Sequence, residues 1–168
     1  MTSLFVIGGA RSGKSRYAQA RAEATGRSPV FIATAQPFDG EMRDRIARHQ
    51  ADRCDEWETV EAPLDLAGAV GRYGAPDRVL LIDCITLWIT NLLLSDGDIP
   101  AALTAFTSEI GRTKGPLILV SNEVGCGIVP ENALARRFRD EAGWVNQHLA
   151  SSVDEVQLVV AGIPLRLK

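Results

Sequence analysis

Cysteine is scarce and unpatterned in this chain. Cys54, Cys84 and Cys126 are an odd number, widely separated and without C-x-x-C spacing. That argues against a disulfide framework and against a zinc site. Reduced thiols fit a cytoplasmic protein. An excess of positive charge is also missing: 18 Lys and Arg stand against 21 Asp and Glu, a net charge of -3. Nothing here suggests a surface for nucleic acid. Apolar runs stay well short of the ~18 residues a membrane span needs. The longest, residues 82–94, is interrupted by Asp83, Thr86, Thr90 and Asn91. No basic leader precedes the first apolar run, so no signal peptide is expected. Repeats, low-complexity tracts and interdomain linkers are absent as well. What remains is 168 residues, 46% hydrophobic and 23% charged, the composition of a globular chain with a real core. The expectation is one domain over residues 1–168.

The most informative stretch is Gly8-Gly9-Ala10-Arg11-Ser12-Gly13-Lys14-Ser15. It follows the apolar run Leu4-Phe5-Val6-Ile7 and precedes an alanine-rich helical pattern. The spacing G-x-x-x-x-G-K-S in that context is the phosphate-binding loop. Glycines let the backbone curl so that its N–H groups point at phosphate oxygens. Lys14 supplies a point charge for the β- and γ-phosphates. Ser15 offers a hydroxyl to Mg²⁺ and opens a helix whose N-terminal dipole favours anions.

Buried strands are expected at residues 4–7, 30–34, 79–83, 117–120 and 156–160, with short ones at 57–61 and 165–167. Helical patterns lie between them, at residues 16–25, 40–53, 64–73, 87–94, 100–113 and 131–150. Leu134, Phe138, Val145 and Leu149 mark the apolar face of the last of these. Strands alternating with helices predict an α/β fold, a mostly parallel sheet with helices on both faces. Ligands bind such sheets beyond the carboxyl ends of the strands. Polar or glycine residues occur at those expected ends: Gly8, Thr34, Glu61, Asp83 and Asn122. Asp83 closes an apolar strand, as a carboxylate on the Mg²⁺ side of a nucleotide site does. The glycine-containing stretch after Asn122, up to Pro130, reads as a shaped functional loop.

A second feature is His49. On a helix over residues 41–53, Met42, Ile46, His49 and Arg53 share one side, with Arg45 at its edge. A lone imidazole among apolar residues thus has two guanidinium groups beside it. Arginines hold phosphate oxygens, and neighbouring cations lower an imidazole pKa, leaving a ring nitrogen free to attack. The other histidine, His148, reads as a surface residue.

These motifs together resemble a known family. Residues 8–16 are followed by Ile32-Ala33-Thr34-Ala35-Gln36, then by Glu41-Met42, Arg45-Ile46 and His49, with Trp57 and Glu61 beyond. Farther on come Thr90-Asn91-Leu92-Leu93, Asn122-Glu123-Val124-Gly125, Ile128-Val129-Pro130-Glu131-Asn132, Phe138-Arg139-Asp140 and Val145-Asn146-Gln147. The whole chain resembles the bifunctional adenosylcobinamide kinase / adenosylcobinamide-phosphate guanylyltransferases of cobalamin biosynthesis, on a P-loop NTPase-like fold.

The resemblance implies two reactions. Adenosylcobinamide first takes the γ-phosphoryl group of ATP or GTP. GTP then guanylylates a histidine with release of pyrophosphate, and adenosylcobinamide-phosphate takes the GMP to give adenosylcobinamide-GDP. The guanylylated histidine of the family matches His49; Arg48 stands where many relatives are expected to carry a second histidine. By the same resemblance the nucleotide site extends to Ile32, Ala33 and Thr34, to Gln50, Ala51, Asp52 and Arg53, and to Glu61 and Asp83. Glu61 and Asp83 are open to a ribose, a base edge or a metal. The resemblance also implies a homotrimer. Two other readings compete: a plain small-molecule kinase with a structural His49, and a nucleotide-gated switch. The absence of a glutamine just past Asp83 counts against the switch.

Overall fold

A computed structural model of the chain describes residues 3–36 and 56–168. The expected helix carrying His49, and with it Gln50, Ala51, Asp52 and Arg53, lies outside the described residues. The described elements are β1 (Ser3–Gly8), α1 (Lys14–Glu23), β2 (Ser28–Ala33), β3 (Glu58–Glu61), α2 (Leu66–Tyr73) and β4 (Arg78–Asp83). They continue with α3 (Ile85–Leu94), α4 (Ile99–Arg112), β5 (Leu117–Asn122), α5 (Ala133–Ser152), β6 (Glu155–Val160) and β7 (Ile163–Arg166).

The seven strands form one sheet in the order β3-β2-β4-β5-β1-β6-β7. All pairings are parallel except β6–β7. β1, β4 and β5 are near-continuous buried runs, as strands covered on both faces require. β7 is fully exposed. It carries Pro164 opposite Val159, and proline in a sheet is confined to such an edge.

Strand alternation sorts the core into two layers. Leu4, Val6, Phe31, Val79, Leu81, Ile118 and Val120 pack with Ala18 and Ala22 of α1 on one face. Phe5, Val30, Ile32, Leu80, Ile82, Leu117 and Leu119 pack on the other, against α2 to α5. Helices therefore cover both faces. In the second layer Trp88 and Phe106 pack at 5.6 Å between ring centroids, and the Trp88 indole donates to Leu64 O at 2.8 Å.

Several boundaries differ from the sequence expectation. α2 begins at Leu66, not residue 64, because Asp65 accepts from Gly68 N at 2.8 Å and caps the helix there. α3 begins at Ile85, directly after β4. On α5 the buried residues are Ala142, Val145, Asn146 and Leu149. Leu134, expected on that face, is 51% exposed: the first turns of α5 run past the sheet.

Candidate functional site: the carboxyl edge of the sheet

The chain from Gly8 to Ser15 wraps from the end of β1 into α1. Its shape demands the glycines. A Cβ on Gly8 would lie 2.5 Å from Val159 O and 2.7 Å from Ser12 Oγ. Gly13 sits at φ +90, and a Cβ there would come within 3.1 Å of Gly162 Cα. Arg11 also adopts a left-handed φ of 54. The Gly162 amide, at the β6–β7 turn, donates to Ser12 O at 2.7 Å. This brace from the far end of the chain was not foreseen from the sequence; the glycine pair it brings together is 149 residues apart. Lys14 is 7% exposed, and its ammonium donates to Gly9 O at 3.1 Å, so it lies folded over the loop.

Helix caps separate the site from the rest of the fold. Side-chain oxygens of Asp65, Asp98 and Asn132 cap α2, α4 and α5. α1 and α3 have no side-chain cap. These two helices follow β1 and β4 directly. In α3 the buried Cys84 thiol accepts from Leu87 N–H, whereas the first N–H groups of α1 follow the phosphate loop, a position that suits an anion.

Register then places the other expected residues. Gly8 is level with Asn122. Two residues lower, Glu61, Ala33, Asp83 and Val120 form one row. By alternation Gly8, Asn122, Asp83, Ala33 and Glu61 all point to the α1 face, the face of Lys14 and Ser15. The ladder also sets their spacing. At ~4.8 Å per strand, Asp83 is about 10 Å across the sheet from β1, and Glu61 about 19 Å. Glu61 is exposed on the outermost of these strands.

Thr34 and Ile32 turn to the opposite face. Ile32 is fully buried in the core. The Thr34 hydroxyl donates to Cys84 O at 2.8 Å and accepts from Cys84 N at 2.9 Å. It clamps the backbone that follows Asp83, where the Asp83–Cys84 peptide is cis. Asn91 completes the clamp: its amide donates to Thr34 O at 2.8 Å and to Pro63 O at 2.9 Å. One buried amide thus ties the exits of β2 and β3 to α3.

A second chain of polar contacts joins β4 to β5. Asn122 Nδ2 donates to Thr86 Oγ1 at 2.7 Å. The Cys84 thiol lies 3.0 Å from the same hydroxyl. Burial first, and Asp83 next, push that thiol up to about 11, so it stays protonated and unreactive at neutral pH. Behind it, Ser121 Oγ donates to Asn146 Oδ1 at 2.8 Å. Asn91, Thr86 and Asn146 are signals that sequence reading left without a role, because each acts through a partner remote in sequence. His148 is exposed, as expected, with its ring 4.3 Å from that of Trp144.

No cluster of three potential metal ligands occurs among the described residues. A loop of this shape after β1, with β5 inserted between the loop strand and the Asp83 strand, defines a P-loop nucleotide-binding α/β fold. Solved structures agree at the level of fold. The ATPase domain of G40P superposes with a TM-score of 0.53 over 94% of this chain and 68% of its own, at 10% identity. A Pyrococcus horikoshii OT3 protein gives 0.58 over 99% and 86%, at 9% identity.

Sequence comparison resolves the family. Residues 4–167 match the model of the cobinamide kinase / cobinamide phosphate guanyltransferase family, and the chain belongs to that family of bifunctional enzymes. It is similar to the bifunctional adenosylcobalamin biosynthesis protein CobP of Pseudomonas aeruginosa, 47% identical over 97% of this chain and 95% of that protein. It is also similar to the bifunctional adenosylcobalamin biosynthesis proteins CobU of Salmonella typhimurium, at 44% identity, and Escherichia coli, at 42%. Each of those alignments covers 98% of this chain and 99% of the relative.

Proposed function

We propose that this chain carries out both half-reactions in turn: phosphorylation of adenosylcobinamide by ATP or GTP, then transfer of GMP from GTP through a guanylylated His49. The observation that carries the proposal is a complete phosphate loop at the ligand edge of the sheet, in a chain 42–47% identical to bifunctional relatives over nearly its whole length. The loop amides, Lys14 and the uncapped start of α1 hold the β- and γ-phosphates. In the first half-reaction the substrate hydroxyl attacks the γ-phosphorus and the nucleoside diphosphate leaves. In the second, a ring nitrogen of His49 attacks the α-phosphorus, pyrophosphate leaves, and a phosphoramidate forms. An oxygen of the cobinamide phosphate then takes the GMP and releases the imidazole.

The sheet supports a division of labour among the acidic residues. Asp83 shares the α1 face with Ser15, and these two are the protein oxygens suited to Mg²⁺, which keeps most of its shell for water and phosphate. When bound, the ion neutralises charge on the phosphate oxygens. Glu61, about 19 Å from β1 by strand spacing, lies too far out to share that ion with Ser15. It is assigned to the ribose or base, with Ala33 beside it. His49 and residues 50–53 belong to the segment joining β2 to β3, which leaves the sheet at this same edge after Gln36. A single domain over residues 1–168, a homotrimer and a cytoplasmic location complete the proposal. No helix among the described residues is long and apolar enough to cross a membrane.

The test is stepwise assay with purified protein. Adenosylcobinamide with ATP should give the phosphate ester, and added GTP should convert it to adenosylcobinamide-GDP with one pyrophosphate per turnover. Turnover that stops at the ester would reduce the protein to a kinase.

A further inference from the structure

The β6–β7 hairpin meets the phosphate loop through a hydrogen bond that the mechanism above does not use. Two residues, Ala161 and Gly162, join the strands between the facing pair Val160 and Ile163. Both have positive φ, 52 and 80, the type I′ pattern of tight hairpins. The hydrogen bond that closes such a turn links the flanking residues, so the Gly162 N–H is spare. It donates to Ser12 O at 2.7 Å. Gly162 Cα stands 3.1 Å from the place of a Cβ on Gly13, so the turn is seated directly against the loop.

That bond fixes more than one carbonyl. Ser12 O and Gly13 N belong to the same peptide unit, and a trans peptide holds its C=O and N–H in one plane, pointing opposite ways. With Ser12 O drawn to the β6–β7 turn, the Gly13 N–H is turned away from it. Gly13 is the N-cap of α1, and its own carbonyl accepts from Tyr17 N at 3.0 Å. Its N–H therefore stands with those of the first turn, at the helix end that suits an anion. Among the described residues none accepts from it. The alternative is a flipped peptide. Gly13 has no side chain to oppose that rotation, and the flip would aim the Ser12 carbonyl, an acceptor, at the phosphates in place of a donor.

We infer that the Ala161–Gly162 turn orients the Ser12–Gly13 peptide so that the Gly13 N–H faces the nucleotide phosphates. The turn is a positioning element: it touches no substrate and acts through the loop. Both half-reactions draw on the same loop, so both depend on it. This rests on the phosphate-loop reading in the proposed function above.

The test exchanges the Ala161–Gly162 amide for an ester in the full-length chain, which replaces the Gly162 N–H by oxygen and alters no side chain. The control is the same exchange at Arg166–Leu167. There the lost N–H donates to Val156 O at 2.8 Å, in the same hairpin but at the opposite end of β6 from the loop. Binding of GTP and of inorganic pyrophosphate is measured by titration calorimetry. The Ala161–Gly162 ester should raise Kd for both about 10- to 100-fold, the loss of one hydrogen bond to a charged group. The control should stay within about twofold of the unmodified protein. Each ester removes one backbone bond, so both thermal midpoints should fall alike, by about 2–4 °C. Unchanged affinity in the Ala161–Gly162 ester overturns the inference. So does an equal loss of affinity in both esters, the mark of a hairpin that matters only for stability. An unmodified protein that binds neither GTP nor pyrophosphate overturns the phosphate-loop reading itself, and that result is visible before any exchange is made.

Discussion

The ligand edge of the sheet has two halves of different construction. On the β1–β5–β4 side, Gly8, Asn122 and Asp83 sit within two strand spacings of one another. Backbone and side-chain contacts lock them: Gly162 to Ser12, Glu123 to Gly8, Asn122 to Thr86. On the β2–β3 side, Glu61 is exposed on an edge strand. The hydrogen bonds there, Thr34 to Cys84 and Asn91 to Thr34 and Pro63, fix the backbone exits rather than present groups to a ligand. γ-Phosphoryl transfer is chiefly a matter of positioning and charge, and on the proposed function the first half supplies both. Histidine guanylylation needs a nucleophile delivered from outside the sheet. The segment bearing His49 follows β2, the strand of this second half that ends at Ala33.

Substitutions at each half should separate their roles. The largest effect is expected at Lys14, which on the proposed function serves both reactions through the same phosphates. Lys14→Ala should lower both half-reactions by at least about 100- to 1,000-fold, as for a lost transition-state donor, measured as kcat in the separate assays. Loss of only one would mean that the two reactions use different phosphate sites. Asp83→Asn comes next. Turnover at saturating nucleotide should fall, and the Mg²⁺ concentration for half-maximal rate should rise several-fold; an unchanged metal dependence removes Asp83 from the ion. The smallest catalytic effect is expected at Thr34. Thr34→Val leaves the buried Cys84 N–H and C=O without their partner, which costs about 1–3 kcal/mol. For a chain of this size that lowers the thermal midpoint by about 2–4 °C per kcal/mol, while KM for nucleotide holds. A large rise in KM with an unchanged midpoint would make Thr34 a ligand contact instead.

How much of this was legible in the sequence follows from which interactions are local. The phosphate loop is a contiguous string, and strand ends are announced by polar residues after apolar runs, so Gly8, Asp83 and Asn122 could be read as edge residues. Strand order could not, because pairing β5 between β1 and β4 is a contact between segments more than a hundred residues apart in one case. Order is what puts Asn122 beside the loop strand and Glu61 far from it. Faces were half legible. Alternation sets Thr34 opposite Ala33 once the strand end is known, but its partner Cys84 is 50 residues away. The apolar spacing at Leu134 has the period of a buried face, yet the sheet ends before that turn of α5 begins. Periodicity identifies a stripe without telling how far along the helix the core extends.

The covalent step is tested most directly by trapping. Wild-type protein incubated with GTP labelled at the α-phosphate, in the absence of a corrinoid, should acquire a covalent label that is labile to acid and stable to alkali, as a phosphoramidate is. Peptide mapping should place it on His49, and His49→Ala should remain unlabelled while still phosphorylating adenosylcobinamide. Label that persists in His49→Ala, or a wild-type protein that converts the phosphate ester to the GDP product without ever becoming labelled, would contradict it.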